Sequence, residues 1–128
     1  MVSSEALLNL LNKELGYYRA LQDLTVQEHS AQSRARPLAE IFPLIKKRRI
    51  LFNCIAEVES DLLPLRQDWE RQPSRQNPAH EAIKERLQEL RVLVQDILDL
   101  DNRNQKLMQQ RLEALRAATV KTGRKHGN

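Results

Sequence analysis

A chain of 128 residues is long enough for one domain with a modest core. Hydrophobic residues make up 41% of it but aromatics only 4%, so the core must come from Leu, Ile, Val and Ala, and an all-α fold is expected because Gly is scarce and strand-type alternation is not sustained. The net charge of +4 is spread as blocks of −2 over residues 1–33, +5 over 34–50, −4 over 51–70 and +5 over 71–128, a pattern that suits helices packed on one another better than a dedicated polyanion-binding surface.

Ser3 or Ser4 can cap a first helix, with Glu5 placed favourably in its first turn. Leu7, Leu8, Leu11, Leu15, Tyr18, Leu21 and Leu24 continue one apolar stripe. Gly16 lies inside this helix, costs about 1 kcal/mol relative to Ala, and is expected to let a neighbour approach closely. From Gln27 to Arg36 the sequence turns polar, so the helix either ends there or runs on exposed before Pro37.

Pro37 and Pro43 are both compatible with a first turn, which leaves the start of the second helix open. From Leu51 the register is clean: Leu51, Ile55, Val58, Leu62, Leu65 and Trp69 alternate steps of four and three, the mark of a packing seam. Pro64 interrupts that seam and predicts a kink or a termination near Leu62, because it removes a backbone hydrogen bond and crowds the preceding turn.

Residues 72–78 read as a short loop, with Asn77 as cap, Pro78 at the first helical position and Glu81 in the first turn of a third helix. A short loop predicts that helices 2 and 3 are antiparallel neighbours. The third helix carries the longest stripe in the chain, Ile83, Leu87, Leu90, Val94, Ile97, Leu100, Leu107, Met108, Leu112 and Leu115, unbroken by Gly or Pro. A helix of roughly 30 residues is about 45 Å long, too long to wrap a compact core, so it must lie along a partner. These stripes predict an elongated antiparallel three-helix bundle of coiled-coil-like helices over residues 1–118, followed by a basic, disordered tail over 119–128.

Little in the chain points to chemistry. His29, His80 and His126 do not stand at helical ligand spacing from one another or from a Cys, so no metal is expected. Cys54 reads as a small core or boundary residue, and as the lone cysteine it excludes an intrachain disulfide and agrees with a reducing compartment. Glu57/Glu59 and Asp99/Asp101 are two apart and do not converge; Asp99 and Arg103 read as a surface ion pair. There is no Gly-rich phosphate loop. No enzyme activity and no cofactor are expected. No signal peptide and no apolar run of transmembrane length is visible, so the expected protein is soluble and cytoplasmic.

Two features point to partner binding. Lys46-Lys47-Arg48-Arg49 would bind nucleic acid or an acidic partner on a functional reading; on the plain reading these residues spread around the helix, with at least one stem lying over the bundle, and the plain reading is preferred. The second feature is a phase change at Asn104. Asn104 occupies a stripe position between Leu100 and Leu107, and beyond it Met108, Leu112 and Leu115 take a displaced track. Asn104 either fixes register as a buried polar residue or marks where the face leaves the bundle. On the second reading Leu107, Met108, Leu112 and Leu115, with Leu100 at the edge, form a binding surface, since Met suits an adaptable interface.

The assembled pattern resembles the FlgN-like flagellar export chaperones. The resemblance is carried by Leu7-Leu8-Asn9-Leu10-Leu11-Asn12-Lys13-Glu14-Leu15, by Lys46-Lys47-Arg48-Arg49-Ile50-Leu51 followed by Ile55-Ala56-Glu57-Val58-Glu59, and by Leu100-Asp101-Asn102-Arg103-Asn104-Gln105-Lys106-Leu107 leading to Leu112 and Leu115. It spans roughly residues 5–118. It implies a cytoplasmic chaperone, monomer or weak dimer, of the type III flagellar export pathway. Such a protein binds the helical C-terminal segment of hook-associated proteins, prevents their premature assembly and delivers them to the export apparatus, without nucleic acid or membrane insertion. The sibling class that serves the filament cap is similar. The alternatives in other classes are a self-associating structural coiled coil, which would oligomerise without a client, and a small basic nucleic-acid-binding protein, whose affinity would fall steeply with salt.

Overall fold

The computed structural model describes residues 4–71 and 78–126, and these form three long helices: α1 (Ser4–Ser33), α2 (Leu38–Arg71) and α3 (Pro78–His126). Contacts between the helices fix their directions. Arg86 of α3 donates to Asn12 near the start of α1, and Asn104 far along α3 meets Thr25 and His29 near its end, so α1 and α3 run parallel. Tyr18 donates to Glu59 while Arg48 meets Glu28, so α2 runs antiparallel to both. The expected three-helix bundle is therefore present as an up-down-up arrangement.

Helix α1 is the shared element. It packs against α2 and against α3, but among the described residues no Cα of α2 lies within 8 Å of one of α3. The two helices are antiparallel, as expected, yet not close neighbours, and residues 72–77 of the expected loop lie outside the described residues. Toward the end of α2 and the start of α3 the gap is bridged by side chains, with the Trp69 and His80 rings stacked at 4.8 Å. The core follows from the stripes. Leu7, Leu11 and Leu15 of α1 meet Val58 and Leu62 of α2 and Ile83 and Leu90 of α3. Leu21, Ile55 and Ile97 form a second, smaller cluster further along. Each fully buried leucine contributes about 1.5–3 kcal/mol relative to exposure, so the end of the bundle holding the larger cluster is the firmer one.

Several local expectations are corrected. Helix α1 does not become an exposed polar extension after Gln27, because Glu28 and Gln32 are buried and the helix continues to Ser33. It stops at a Schellman-type cap: the Arg36 N–H donates to the Ala31 carbonyl at 2.9 Å and the Ala35 N–H to Gln32 at 3.1 Å. Ala35 takes a left-handed φ of 51° there, a position that favours Gly. Helix α2 starts at Leu38, so Pro43 lies beyond its first turn, and it continues through Pro64 to Arg71 instead of ending near Leu62. The physical reason is exposure. Pro43 and Pro64 both face solvent, as do Ala39 and Ser60, whose carbonyls lose a helical donor and can be hydrated. Gly16 has no neighbouring atom within 4 Å of where a Cβ would stand, so it serves no close approach. Asp99 accepts from Gln95 at 3.0 Å in place of the expected pairing with Arg103. Cys54 is half-buried at the boundary. Pro78 and Glu81 open α3 as expected, while Asn77 lies outside the described residues.

Helix α3 has 49 residues, not roughly 30, and its backbone stays helical to His126, through most of the segment expected to be a disordered tail. At 1.5 Å per residue it is about 74 Å long, against about 45 Å for α1 and about 51 Å for α2. Among the described residues its C-terminal end extends past the ends of α1 and α2, and every residue from Leu112 to Val120 is exposed.

Candidate docking groove

The separation of α2 from α3 becomes a groove in the half of the bundle away from the larger core cluster. Its volume is about 600 Å³. Helix α2 supplies one wall with Ile45, Arg48, Arg49 and Phe52, and α3 supplies the other with Asp101, Gln105, Met108, Leu112 and Arg116. Glu28 and Gln32 of α1 belong to its lining, placed on the helix between the two walls. The sequence produces this shape by what it omits. Helix α1 ends at Ser33 and its last buried positions are Thr25, Glu28 and Gln32, so no large apolar side chain rises from it to fill the space between the outer helices.

A buried polar network underlies the groove. Arg48 is 7% exposed. Its Nη2 donates to Asp101 Oδ1 at 2.8 Å and its Nη1 to Glu28 Oε1 at 3.5 Å, so one guanidinium ties all three helices. This is the stem in the basic run that lies over the bundle, while Lys46, Lys47 and Arg49 are exposed. Burial raises the Glu28 pKa above its ordinary value, with Arg48 opposing the rise and Asp101 adding to it. Asn104 is 2% exposed; its Nδ2 donates to the Thr25 carbonyl at 3.1 Å and its Oδ1 lies 3.0 Å from His29 Nδ1. Of the two readings of Asn104 the structure selects the buried polar one. A buried amide that pairs only at this height disfavours slippage of α3 along α1. Among the described residues Arg48 Nε and Gln32 Oε1 are buried without a hydrogen-bond partner, each at a cost of about 1–3 kcal/mol, so the groove lining is not optimised for stability.

The five residues expected to form a binding surface separate on the structure. Met108, half-buried, and Leu112, 47% exposed, line the groove. Leu115, 50% exposed, is not part of the groove lining, although Arg116 beside it on α3 is. Leu107 is half-buried and outside the groove. Leu100 lines a different, smaller cleft of about 320 Å³ between α1 and α3, beside Val26 and Arg103. Sequence reasoning missed the α2 wall. Phe42 and Phe52, the only phenylalanines in the chain, are 54% and 47% exposed, and they bracket the basic run. The Arg48 guanidinium lies over the Phe52 ring at 5.8 Å. The available signal was compositional: a chain with so few aromatics placed both phenylalanines off the Leu51–Trp69 seam.

Charge is polarised along the bundle. Residues 21–50 and 101–120, which form the groove half, carry ten basic side chains against five acidic ones. Residues 4–20, 51–71 and 79–100, which form the other half, carry seven against twelve. The blocks that alternate along the chain are thus gathered by the antiparallel α2 into one basic end and one acidic end. The charge is uneven along the bundle although the blocks alternate along the chain. Among the described residues no cluster of three or more His, Cys, Asp or Glu side chains could hold a metal, and no helix is long and apolar enough to cross a membrane. No family model, no curated protein and no solved structure matches the chain.

Proposed function

We propose that this chain is a helix-binding chaperone, of the kind that its FlgN-like resemblance implies. The observation that carries the reading is the groove between α2 and α3, whose apolar lining of Ile45, Phe52, Met108 and Leu112 runs out onto a helix with no partner of its own. An amphipathic helix laid between α2 and α3 would complete the bundle locally as a fourth helix, covering apolar side chains that are otherwise half in water. A protein that offers such a place can hold a segment that would otherwise pair during assembly. On this proposal the clients are hook-associated flagellar proteins, held by their C-terminal helical segments in the cytoplasm until the export apparatus accepts them. The holding step needs only surface contact and no nucleotide.

The test is direct. Met108→Asp combined with Leu112→Asp should abolish binding of synthetic C-terminal segments of hook-associated proteins in a polarisation assay, while the helical circular dichroism signal and the melting temperature stay close to wild type. Binding that survives in the folded double variant would move the site elsewhere, to be sought next on α1. Unfolding of the variant would place Met108 and Leu112 in the core. A stable oligomer formed without any client would favour the structural coiled coil instead.

A further inference from the structure

We infer that the occupant of the groove is an acidic amphipathic helix, bound by apolar contact with the two walls and selected by the basic rim. The inference rests on the helix-binding reading above and adds the chemistry of the partner. Three observations carry it. The lining joins apolar side chains, Phe52 on one wall and Met108 and Leu112 on the other, to the exposed cations Arg49 and Arg116. The acids at the closed side of the lining are already engaged, since Arg48 holds both Glu28 and Asp101, which leaves Glu113 as the one carboxylate of the lining without an ion-pair partner among the described residues. The whole groove half is basic by five charges, so an incoming segment meets an attractive field only if it is acidic.

The same observations weigh against other occupants. A second copy would bring its own free α3 end, where residues 101–120 carry four basic side chains against two acidic ones, onto a surface of the same sign. A nucleic acid would leave the apolar walls unused, and the one aromatic ring of the lining, Phe52, already has the Arg48 guanidinium over it.

The experiment compares two synthetic peptides of about 18 residues, long enough for about five helical turns, with the same leucine stripe and a polar face of either Glu or Lys. Binding to the full chain is read by fluorescence polarisation. The acidic peptide should bind at least about tenfold tighter than the basic one at low salt, and the difference should shrink as salt is raised. Arg49→Glu with Arg116→Glu, both exposed positions, should erase or reverse the preference; Arg49→Gln with Arg116→Gln should weaken it if the reversed pair fails to fold. Equal binding of the two peptides overturns the acidic selectivity while the helix-binding reading stands. Binding of neither peptide overturns both. Tighter binding of a single-stranded oligothymidylate, or of phosphatidylserine vesicles, than of the acidic peptide overturns the inference in favour of a general polyanion or membrane surface. Concentration-dependent self-association that the acidic peptide does not compete away overturns it in favour of a second copy.

Discussion

Glu14 is a carboxylate in the wrong place for stability, and neutralising it should stabilise the fold in a pH-dependent way. It is 6% exposed, sits among the leucines of α1, and its Oε2 has no hydrogen-bond partner among the described residues. Burial, with the Glu59 charge adding and Arg66 opposing, pushes its pKa up to about 7 from an ordinary 4.5. The folded state therefore holds a proton that the unfolded state has lost between those two values. Stability falls as pH rises from about 4.5 to about 7, and above 7 the full cost of a buried charge is felt. Converted at 1.36 kcal/mol per pH unit, that cost is about 3 kcal/mol, and relaxation and water penetration should reduce it to about 1–3 kcal/mol. Glu14→Gln keeps the shape and removes the titration. At pH 8 the variant should melt several degrees above wild type, and at pH 4.5 the two should nearly coincide, because wild-type Glu14 is then largely protonated in the folded state. Thermal unfolding followed by circular dichroism across that range reads the difference, in which other titrating groups cancel. A gap between variant and wild type that is constant with pH would refute the reasoning, since it would show that Glu14 does not change protonation on folding.

Further outcomes follow from single contacts. Asn104→Ala removes the donor to the Thr25 carbonyl and the partner of His29, and should cost about 1–3 kcal/mol in urea unfolding; a loss within error would mean that the amide does not hold register. Arg48→Met leaves Glu28 and Asp101 facing each other and should cost about 3–5 kcal/mol, part of which Glu28→Gln in the same chain restores; equal losses in the single and double variants would show that the network is not coupled. Ala35→Gly should stabilise by roughly 0.5–1 kcal/mol by relieving the left-handed φ, and a destabilised variant would mean that the cap is not strained. Pro64→Ala restores a helical N–H opposite Ser60 and should stabilise α2 by about 1–3 kcal/mol; a neutral result would mean that the helix around Pro64 is already distorted in a way that the extra donor cannot use.

The helices were legible because each carries its own periodicity. Leu7, Leu11 and Leu15, or Val58 and Leu62, declare one face from local spacing alone, and those faces are the core. The helix does not terminate at Pro64: the proline rule counts the lost hydrogen bond as though it were buried, and on this exposed face water can replace it. The polar run that starts at Gln27 misled because Glu28 and Gln32 are buried, and Glu28 meets Arg48, 20 positions away, which no local pattern announces. The groove was half legible. The phase change at Asn104 flagged Met108 and Leu112, but the facing wall of Ile45 and Phe52 is defined only once α2 is laid antiparallel beside them.

The same folding step decides what the basic run can do. In sequence, Lys46-Lys47-Arg48-Arg49 is followed by an acidic stretch that offsets it, and the chain looks electrically mixed. The antiparallel return of α2 sends that acidic stretch to the far end, and brings the basic block of α2 level with Asp101 and the arginines beyond it on α3. One member of the run, Arg48, is spent on holding the three helices together and neutralises the acids at the base of the groove. Lys46, Lys47 and Arg49 stay exposed, and Arg49 lines the groove. Apolar walls alone would accept any amphipathic helix, including another copy of α3, and a basic surface alone would accept any polyanion. On the inference drawn above, the two together would define a narrower class of partner, because apolar contact supplies binding energy without regard to charge, while the field at the rim would penalise every partner of the wrong sign.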